Sequence, residues 1–238
     1  MRIDVHNHIG VDPAYGEDRT ADELVKEMDG AGVDRCVVFP FTTNPDIREQ
    51  NEVVKSAIDA HPDRLVGFYT MNPRLPEMTD LMYEYGERGF RGVVTDPRFG
   101  IGHEHKRFHE LVECALVLDI PVWLHSDDKD TMRVYISPLE SMLGKYGGAR
   151  FILSSMYYDA TGIATRQKNV YLDTATSMSG SMVAMATQPV GTHRILMGSN
   201  TPYGMLRREV GKLEITEELT DFQKRLILSL NAERLLKL

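Results

Sequence analysis

The sequence predicts an α/β fold, a single (β/α)8 barrel formed by residues 1–238 as one domain. Three observations carry that expectation. Eight short apolar runs alternate with stretches of helical periodicity. Each strand–helix pair takes roughly 25–30 residues, about the size of one βαβ step. No linker, low-complexity tract or charge block divides the chain. Alternation of this kind makes a parallel sheet, and eight repeats suit a closed ring of strands better than an open doubly wound sheet. An open dinucleotide-binding sheet would also carry Gly-x-Gly-x-x-Gly after its first strand. None stands there.

The first strand is predicted from Ile3 to Ile9, within Met-Arg-Ile-Asp-Val-His-Asn-His-Ile-Gly. Alternate side chains of a strand share a face, so Asp4, His6 and His8 point one way and Ile3, Val5 and Asn7 the other. Thr20-Ala-Asp-Glu23 has the form of a capping box that opens a helix. Leu24, Met28 and Ala31 give that helix its apolar stripe, and Gly32 marks its stop. Cys36-Val-Val-Phe39, closed by Pro40, reads as a short buried strand. Ile47, Asn51, Val54 and Ile58 form a second helical stripe, which ends at His61-Pro62. A strand from Leu65 to Thr70 follows, then a helix with Pro76 in its first turn. Gly89 separates that helix from a strand at Phe90 to Thr95.

The pattern continues to the end of the chain. Phe108, Leu111, Val112 and Ala115 share a helical face and precede the strand Pro121 to His125. Leu139, Met142, Leu143 and Tyr146 form another helix, broken at Gly147-Gly148, before the run Phe151 to Ser154. Val170 to Asp173 and Ile195 to Gly198 supply the last two strands, with a Met- and Ala-rich helix between them. From Thr216 the tail is helical, with Phe222, Leu226 and Leu230 four residues apart.

Composition narrows the function. The net charge of −8 argues against a general nucleic-acid surface, which would normally be basic. No apolar run approaches the length that spans a bilayer, and no signal-peptide core follows the N-terminus. A cytoplasmic protein that acts on a small molecule is the simplest reading. Cys36 and Cys114 are expected as buried free thiols rather than a disulfide framework.

In such a barrel the working groups come from the C-terminal ends of the strands. The polar residues ending these runs are His6, His8, Thr70, Asp96, His125, Ser154-Ser155, Asp173 and Asn200. Two imidazoles two residues apart on one strand can meet a single metal ion, each at about 2.0–2.1 Å. The plainer alternative is one buried, hydrogen-bonded histidine and one exposed, but polar groups seldom face inward on a strand without partners. His125 ends the apolar run Pro-Val-Trp-Leu-His and supplies a third imidazole. Three neutral imidazoles and one water form a catalytic zinc arrangement, in which the metal lowers the water's pKa to about 7. The expected cofactor is therefore one divalent ion, zinc first, with manganese or iron as alternatives. His103 and His105, beside Gly100 and Gly102, read as surface residues flanking a helix. Among Arg74, Arg98, Arg166 and Arg207, each near a strand-end loop, Arg98 and Arg74 are the first candidates to bind a substrate carboxylate.

Asp4-Val-His-Asn-His8 resembles the first-strand Asp-x-His-x-His motif of the amidohydrolase superfamily, and in particular its amidohydrolase-related (amidohydrolase 2) branch. Gly89-Phe-Arg-Gly-Val93, Pro121-Val-Trp-Leu-His125, Asn169-Val-Tyr-Leu-Asp173, Arg194-Ile-Leu-Met-Gly-Ser199 and Asn231-Ala-Glu-Arg-Leu-Leu236 resemble segments of that branch in the same order. The resemblance implies a (β/α)8 barrel, a divalent metal in the strand mouth, and hydrolysis or decarboxylation of a small, anionic organic substrate. It also implies that His6, His8 and His125 are metal ligands, and that a homodimer is one possible assembly.

Two departures stand out. Ser155 occupies the place where the branch ends its sixth strand with histidine. Asn200 follows Gly-Ser where the branch has an aspartate that binds the metal and accepts a proton. A carboxamide is neutral and cannot act as a base near neutral pH. Asn200 and Ser155 are thus expected to contribute hydrogen bonds, with Asp96 and Asp173 as candidate substitute bases. Val94 stands where binuclear members can carry a bridging lysine, which favours one metal over two. The alternative reading is a catalytically silent barrel that serves as a binding or regulatory protein.

Overall fold

The computed structural model describes residues 1–125, 139–154, 158–175, 177 and 179–238. Its strands are β1 (Ile3–Asp12), β2 (Glu17–Arg19), β3 (Arg35–Pro40), β4 (Leu65–Gly67), β5 (Tyr69–Thr70), β6 (Val93–Thr95), β7 (Val122–Leu124), β8 (Phe151–Leu153), β9 (Val170–Asp173) and β10 (Ile195–Leu196). Between them run α1 (Ala21–Ala31), α2 (Ile47–Ala60), α3 (Met78–Glu87), α4 (Lys106–Val117), a helical stretch at 139–145 (α5), α6 (Tyr158–Arg166) and α7 (Gly180–Ala186). After β10 come α8 (Leu206–Glu214), α9 (Asp221–Arg225) and α10 (Asn231–Leu236).

Local chemistry explains the helix ends. Thr20 caps α1 by accepting from the Glu23 N–H, and the Glu23 carboxylate returns to the Thr20 N–H at 2.9 Å. Gly32 closes the same helix in left-handed backbone, φ 66°, which a residue without Cβ adopts at little cost. Asp46 caps α2 through the Glu49 N–H. Asn51 is the polar member of the α2 stripe: its carboxamide bonds both the N–H and the C=O of Thr70, tying α2 to β5.

The strands form two hydrogen-bonded sheets, ordered β2-β1-β3-β4 and β10-β9-β8-β7-β6-β5. Every pairing is parallel except the β1–β2 hairpin, an element the sequence reading does not contain. The expected strand Leu65 to Thr70 is divided at Phe68, so that β4 pairs with β3 and β5 with β6. The sheets meet again at their other edges. There the Val5 N–H donates to Met197 O, the Asn200 N–H to His6 O and the His8 N–H to Thr201 O, each at 2.9 Å.

Two apolar clusters fill the molecule. One lies between strands and helices and contains Leu24, Met28, Val54, Met82, Phe108, Leu111 and Ile163. The other lies among the strands and contains Ile3, Val5, Val37, Phe39, Phe68, Val94, Trp123, Ile152 and Leu196. Helix α10 packs Ala232, Leu235 and Leu236 into this second cluster. Cys36 and Cys114 are buried free thiols, as expected. Among the described residues no helix is long and apolar enough to cross a membrane.

One local feature departs from simple alternation. The β1–β3 register shifts between Asp4 and Asn7, a bulge of the kind found beside working sites. Val5 belongs to the inner cluster, and the next residue, His6, packs on its members Phe39 and Trp123. Asp4 consequently parts from the histidines and joins Asn7, whose Nδ2 donates to Asp4 Oδ1 at 2.9 Å.

Candidate metal centre

His6 and His8 on β1 and His125 just after β7 converge, with one potential ligand atom from each lying within 4.8 Å of the others. All three are buried. The ring centroids are 5.3 Å apart for His6 and His8, 5.5 Å for His8 and His125, and 6.1 Å for His6 and His125. Trp123 sets its edge against His6 at 4.9 Å, and Phe41 stacks on His8 at 4.9 Å with planes 12° apart.

Carboxylates stand behind two of these rings. Asp173 Oδ2 lies 2.9 Å from His6 Nδ1, and Asp96 Oδ2 lies 3.3 Å from His125 Nδ1. An ionised carboxylate accepts only, so it keeps the ring proton on Nδ1 and leaves the Nε2 lone pair for another partner. His6 Nε2 is buried and has no hydrogen-bond partner among the described residues, and neither nitrogen of His8 makes a well-formed hydrogen bond there. Orphaned buried imidazole nitrogens are uncommon and fit a cation better than a dry protein interior.

Electrostatics point the same way. Burial, reinforced by the neighbouring His6 and His125 imidazoles, holds the His8 imidazole well below its ordinary pKa, against the opposing pull of the Pro40 carbonyl and the Asn200 side chain. His8 is therefore neutral and able to donate a lone pair. Burial alone would raise Asp96, but His125 and Arg98 outweigh it and hold this carboxyl well below the usual carboxylate range. A carboxylate so firmly ionised is a poor proton acceptor. Burial pushes Asp4 up to about 6, although the His6 N–H and Ser199 stabilise its charge.

The remaining expected residues fall into three groups. Asn200 reaches the cluster: its N–H donates to His6 O, its backbone is left-handed at φ 60°, and its Oδ1 is buried without a partner among the described residues. Asp173 also reaches it, with Oδ2 toward His6 and Oδ1 accepting from the Ala175 N–H at 2.9 Å, an orienting placement rather than an open base. Arg98 joins through Asp96 and approaches His125 Nδ1 at 3.4 Å. Arg74 is exposed, its guanidinium beside Gly100, and the structure leaves it on the surface. Ser155 lies outside the described residues. Arg166 pairs with Glu140 at 2.7 Å, away from the histidines.

Some features escape a reading of sequence alone. Thr42, from the loop after β3, donates to Asp96 Oδ2 at 2.7 Å across 54 residues of chain. Tyr203 donates to Asp12 and stands with Phe41 and His8 around the mouth, at ring distances of 6.0 and 6.3 Å. His103 is buried against Phe108, not exposed as expected, and burial lowers its pKa to about 4. Flanking glycines suggested a loop at the surface and carried no sign of this packing.

Comparison with known proteins agrees with this arrangement. No curated protein sequence matches the chain. Solved structures similar in fold include three decarboxylases. One is a dihydroxybenzoic acid decarboxylase from Polaromonas sp. JS666 with bound manganese and the inhibitor 2-nitroresorcinol (TM-score 0.80, 16% identity, 99% of this chain and 96% of that one). Another is 2,6-dihydroxybenzoate decarboxylase from Rhizobium (TM-score 0.82, 15% identity, 99% and 98%). The third is 5-carboxyvanillate decarboxylase from Sphingomonas paucimobilis (TM-score 0.80, 14% identity, 100% and 99%). At these identities the likeness establishes the fold, an α/β architecture with parallel strands. The amidohydrolase family model (Amidohydro_2) matches residues 3–238, nearly the whole sequence, and the chain therefore belongs to that family.

Proposed function

We propose that this chain is a single-domain (β/α)8 barrel that works as a metal-dependent hydrolase or decarboxylase on a small anionic molecule. One divalent ion, zinc by preference, is held by His6, His8 and His125. The observation that carries the reading is the convergence of three buried imidazoles within 4.8 Å, two of them backed by carboxylates. The backbone bonds from β1 to Met197 and Thr201, and the continuity of β4 and β5 through Phe68, support a closed ring of eight strands. An all-nitrogen donor set favours zinc, and the manganese in the Polaromonas decarboxylase keeps manganese as the alternative.

Bound there, the ion supplies Lewis acidity toward a substrate oxygen or a water. The chain does the rest. Asp173 and Asp96 fix the tautomers of His6 and His125. Phe41 and Trp123 wall the histidines with apolar surface, which strengthens every charge interaction among them. The Arg98 side chain, 40% exposed at this rim, offers positive charge to an anionic substrate. Asn200 orients an oxygen by hydrogen bonding and accepts no proton near neutral pH.

Metal content is the test. Protein purified without chelators should hold about one zinc, manganese or iron per chain and lose it on His6→Ala; a metal-free preparation that resists reconstitution overturns the reading. The second reading, a catalytically silent binding or regulatory barrel, is favoured by Asn200, since loss of a positioned base removes about 10²–10⁴ in rate. A panel of lactone, amide and aromatic or aliphatic carboxylate substrates separates the two. Turnover that disappears in His6→Ala ends the silent-barrel reading, and bound metal without turnover favours it.

A further inference from the structure

The three imidazoles are not held alike. His6 is set by one carboxylate, and His8 by stacking on Phe41. His125 stands at the end of a lock built from three separate segments. Asp96 follows β6, and its Oδ2, the oxygen nearest His125 Nδ1, accepts from Thr42 Oγ1 at 2.7 Å and from Arg98 Nη2 at 2.6 Å. Its Oδ1 accepts from the Arg98 N–H at 2.7 Å, and Arg98 Nε is shared between the two oxygens, 3.0 Å from Oδ1 and 2.9 Å from Oδ2. Arg98 Nη2 also donates to Thr42 Oγ1 at 2.7 Å, which leaves the hydroxyl proton directed at Asp96.

Local backbone makes this possible. Pro97 opens a 3-10 turn, Pro97–Phe99, capped by Asp96, and the turn returns both the N–H and the guanidinium of Arg98 to the carboxylate one residue before the proline. Fork and hydroxyl together fix the carboxylate plane. Oδ2 stands 3.3 Å from His125 Nδ1, with Arg98 Nη2 3.4 Å from the same nitrogen.

Charge gives the lock its weight. Asn200 is neutral where an anionic donor would face the ion, so the three histidines and Asn200 offer no negative charge. The nearest negative charges lie one step outward, on Asp96 and Asp173. Affinity for a cation then depends on how well those carboxylates are aimed through the rings they hold.

We infer that Asp96, immobilised by Arg98 and Thr42, is the positioning residue through which His125 sets the metal affinity of this centre. This rests on the metal-binding reading above, and the experiment separates the failure of one from the failure of the other. Full-length protein is stripped with chelator and titrated with zinc against a chromophoric competitor. Asp96→Asn keeps the shape of the side chain and removes its charge, and should weaken zinc binding about 10–100-fold. Thr42→Val removes one bond to Asp96 without altering charge, and should weaken binding by at least about threefold. Asp12→Asn is the control. Asp12 lies at the same end of β1 and accepts from Thr43 and Tyr203 rather than from an imidazole, so its loss should change affinity by less than about threefold.

Equal weakening by Asp12→Asn and Asp96→Asn would show a diffuse charge effect and overturn the positioning role. So would zinc binding at wild-type strength in Asp96→Asn and Thr42→Val. Circular dichroism of the metal-free variants establishes folding, and if Asp96→Asn does not fold, Thr42→Val decides alone. Wild-type protein that takes up neither zinc nor manganese overturns the metal reading together with this one.

Discussion

Asn200 occupies a left-handed backbone position, with its N–H on the His6 carbonyl and its side-chain oxygen buried among the described residues without a hydrogen-bond partner. Asparagine is one of the few residues that adopts this conformation readily. Aspartate shares that tolerance, so Asn200→Asp should fold unchanged. It places an anion beside the three imidazoles and is expected to tighten zinc binding about tenfold, roughly 1.4 kcal/mol. The same competition titration reads the result, and affinity that stays level or falls removes Asn200 from the ion's surroundings. His6 and His8 were legible as two imidazoles two residues apart on one strand, and His125 as a histidine that ends an apolar run. Asp96 was legible only as a strand-end acid. Its function as a strut depends on Thr42, a partner that no local pattern connects to it.

At the scale of elements, helix ends were the most readable feature and strand registers the least. The box Thr20-Ala-Asp-Glu23 names its own hydrogen bonds, and both are present. Thr20→Ala removes the acceptor for the Glu23 N–H and should destabilise the fold by about 1 kcal/mol, visible as a lower urea midpoint with an unchanged slope. A full loss of cooperativity would contradict a purely local cap. The sequence breaks polar–apolar alternation at Asn7, between His6 and His8, but does not by itself say whether the strand bulges there. Only pairing with β3 reveals that Asp4 and the histidines part company. Likewise the break of the third predicted strand at Phe68 follows from which neighbour each half meets, Gly67 on β3 and Tyr69 on β6.

For the molecule as a whole, pH acts through a buried acid distant in sequence from the histidines. Glu209 on α8 accepts from Thr174 Oγ1 and pairs with Lys212 Nζ at 2.6 Å. Burial outweighs both partners and raises this carboxyl from 4.5 to about 7. Between those values the folded state keeps a proton that the unfolded chain has released. The favourable contribution is therefore complete below about pH 4.5 and is lost as pH rises through 7, at 1.36 kcal/mol per unit and on the order of 3 kcal/mol in all. Glu209→Gln should cancel that slope: relative to wild type it gains stability between pH 4.5 and 8, measured by urea unfolding at both ends. A constant difference across the range would show that Glu209 is ionised in the folded protein.

The expectation of a closed ring already sets the first strand beside the last, and the bonds between β1 and residues 197–201 lie where that expectation puts them; which atoms pair there is not readable from alternation. That junction has a bearing on what an ion would do here. His6 and His8 ride on the smaller sheet, whereas His125 and Asp173 ride on the larger one. A cation gripped by all three imidazoles would bridge the two sheets across their seam. That seam is already joined by the backbone bonds from β1, the His6–Asp173 pair, the Thr201–Asn7 bond and an apolar cluster drawn from both sheets, and an ion held there would add one more fastener to it.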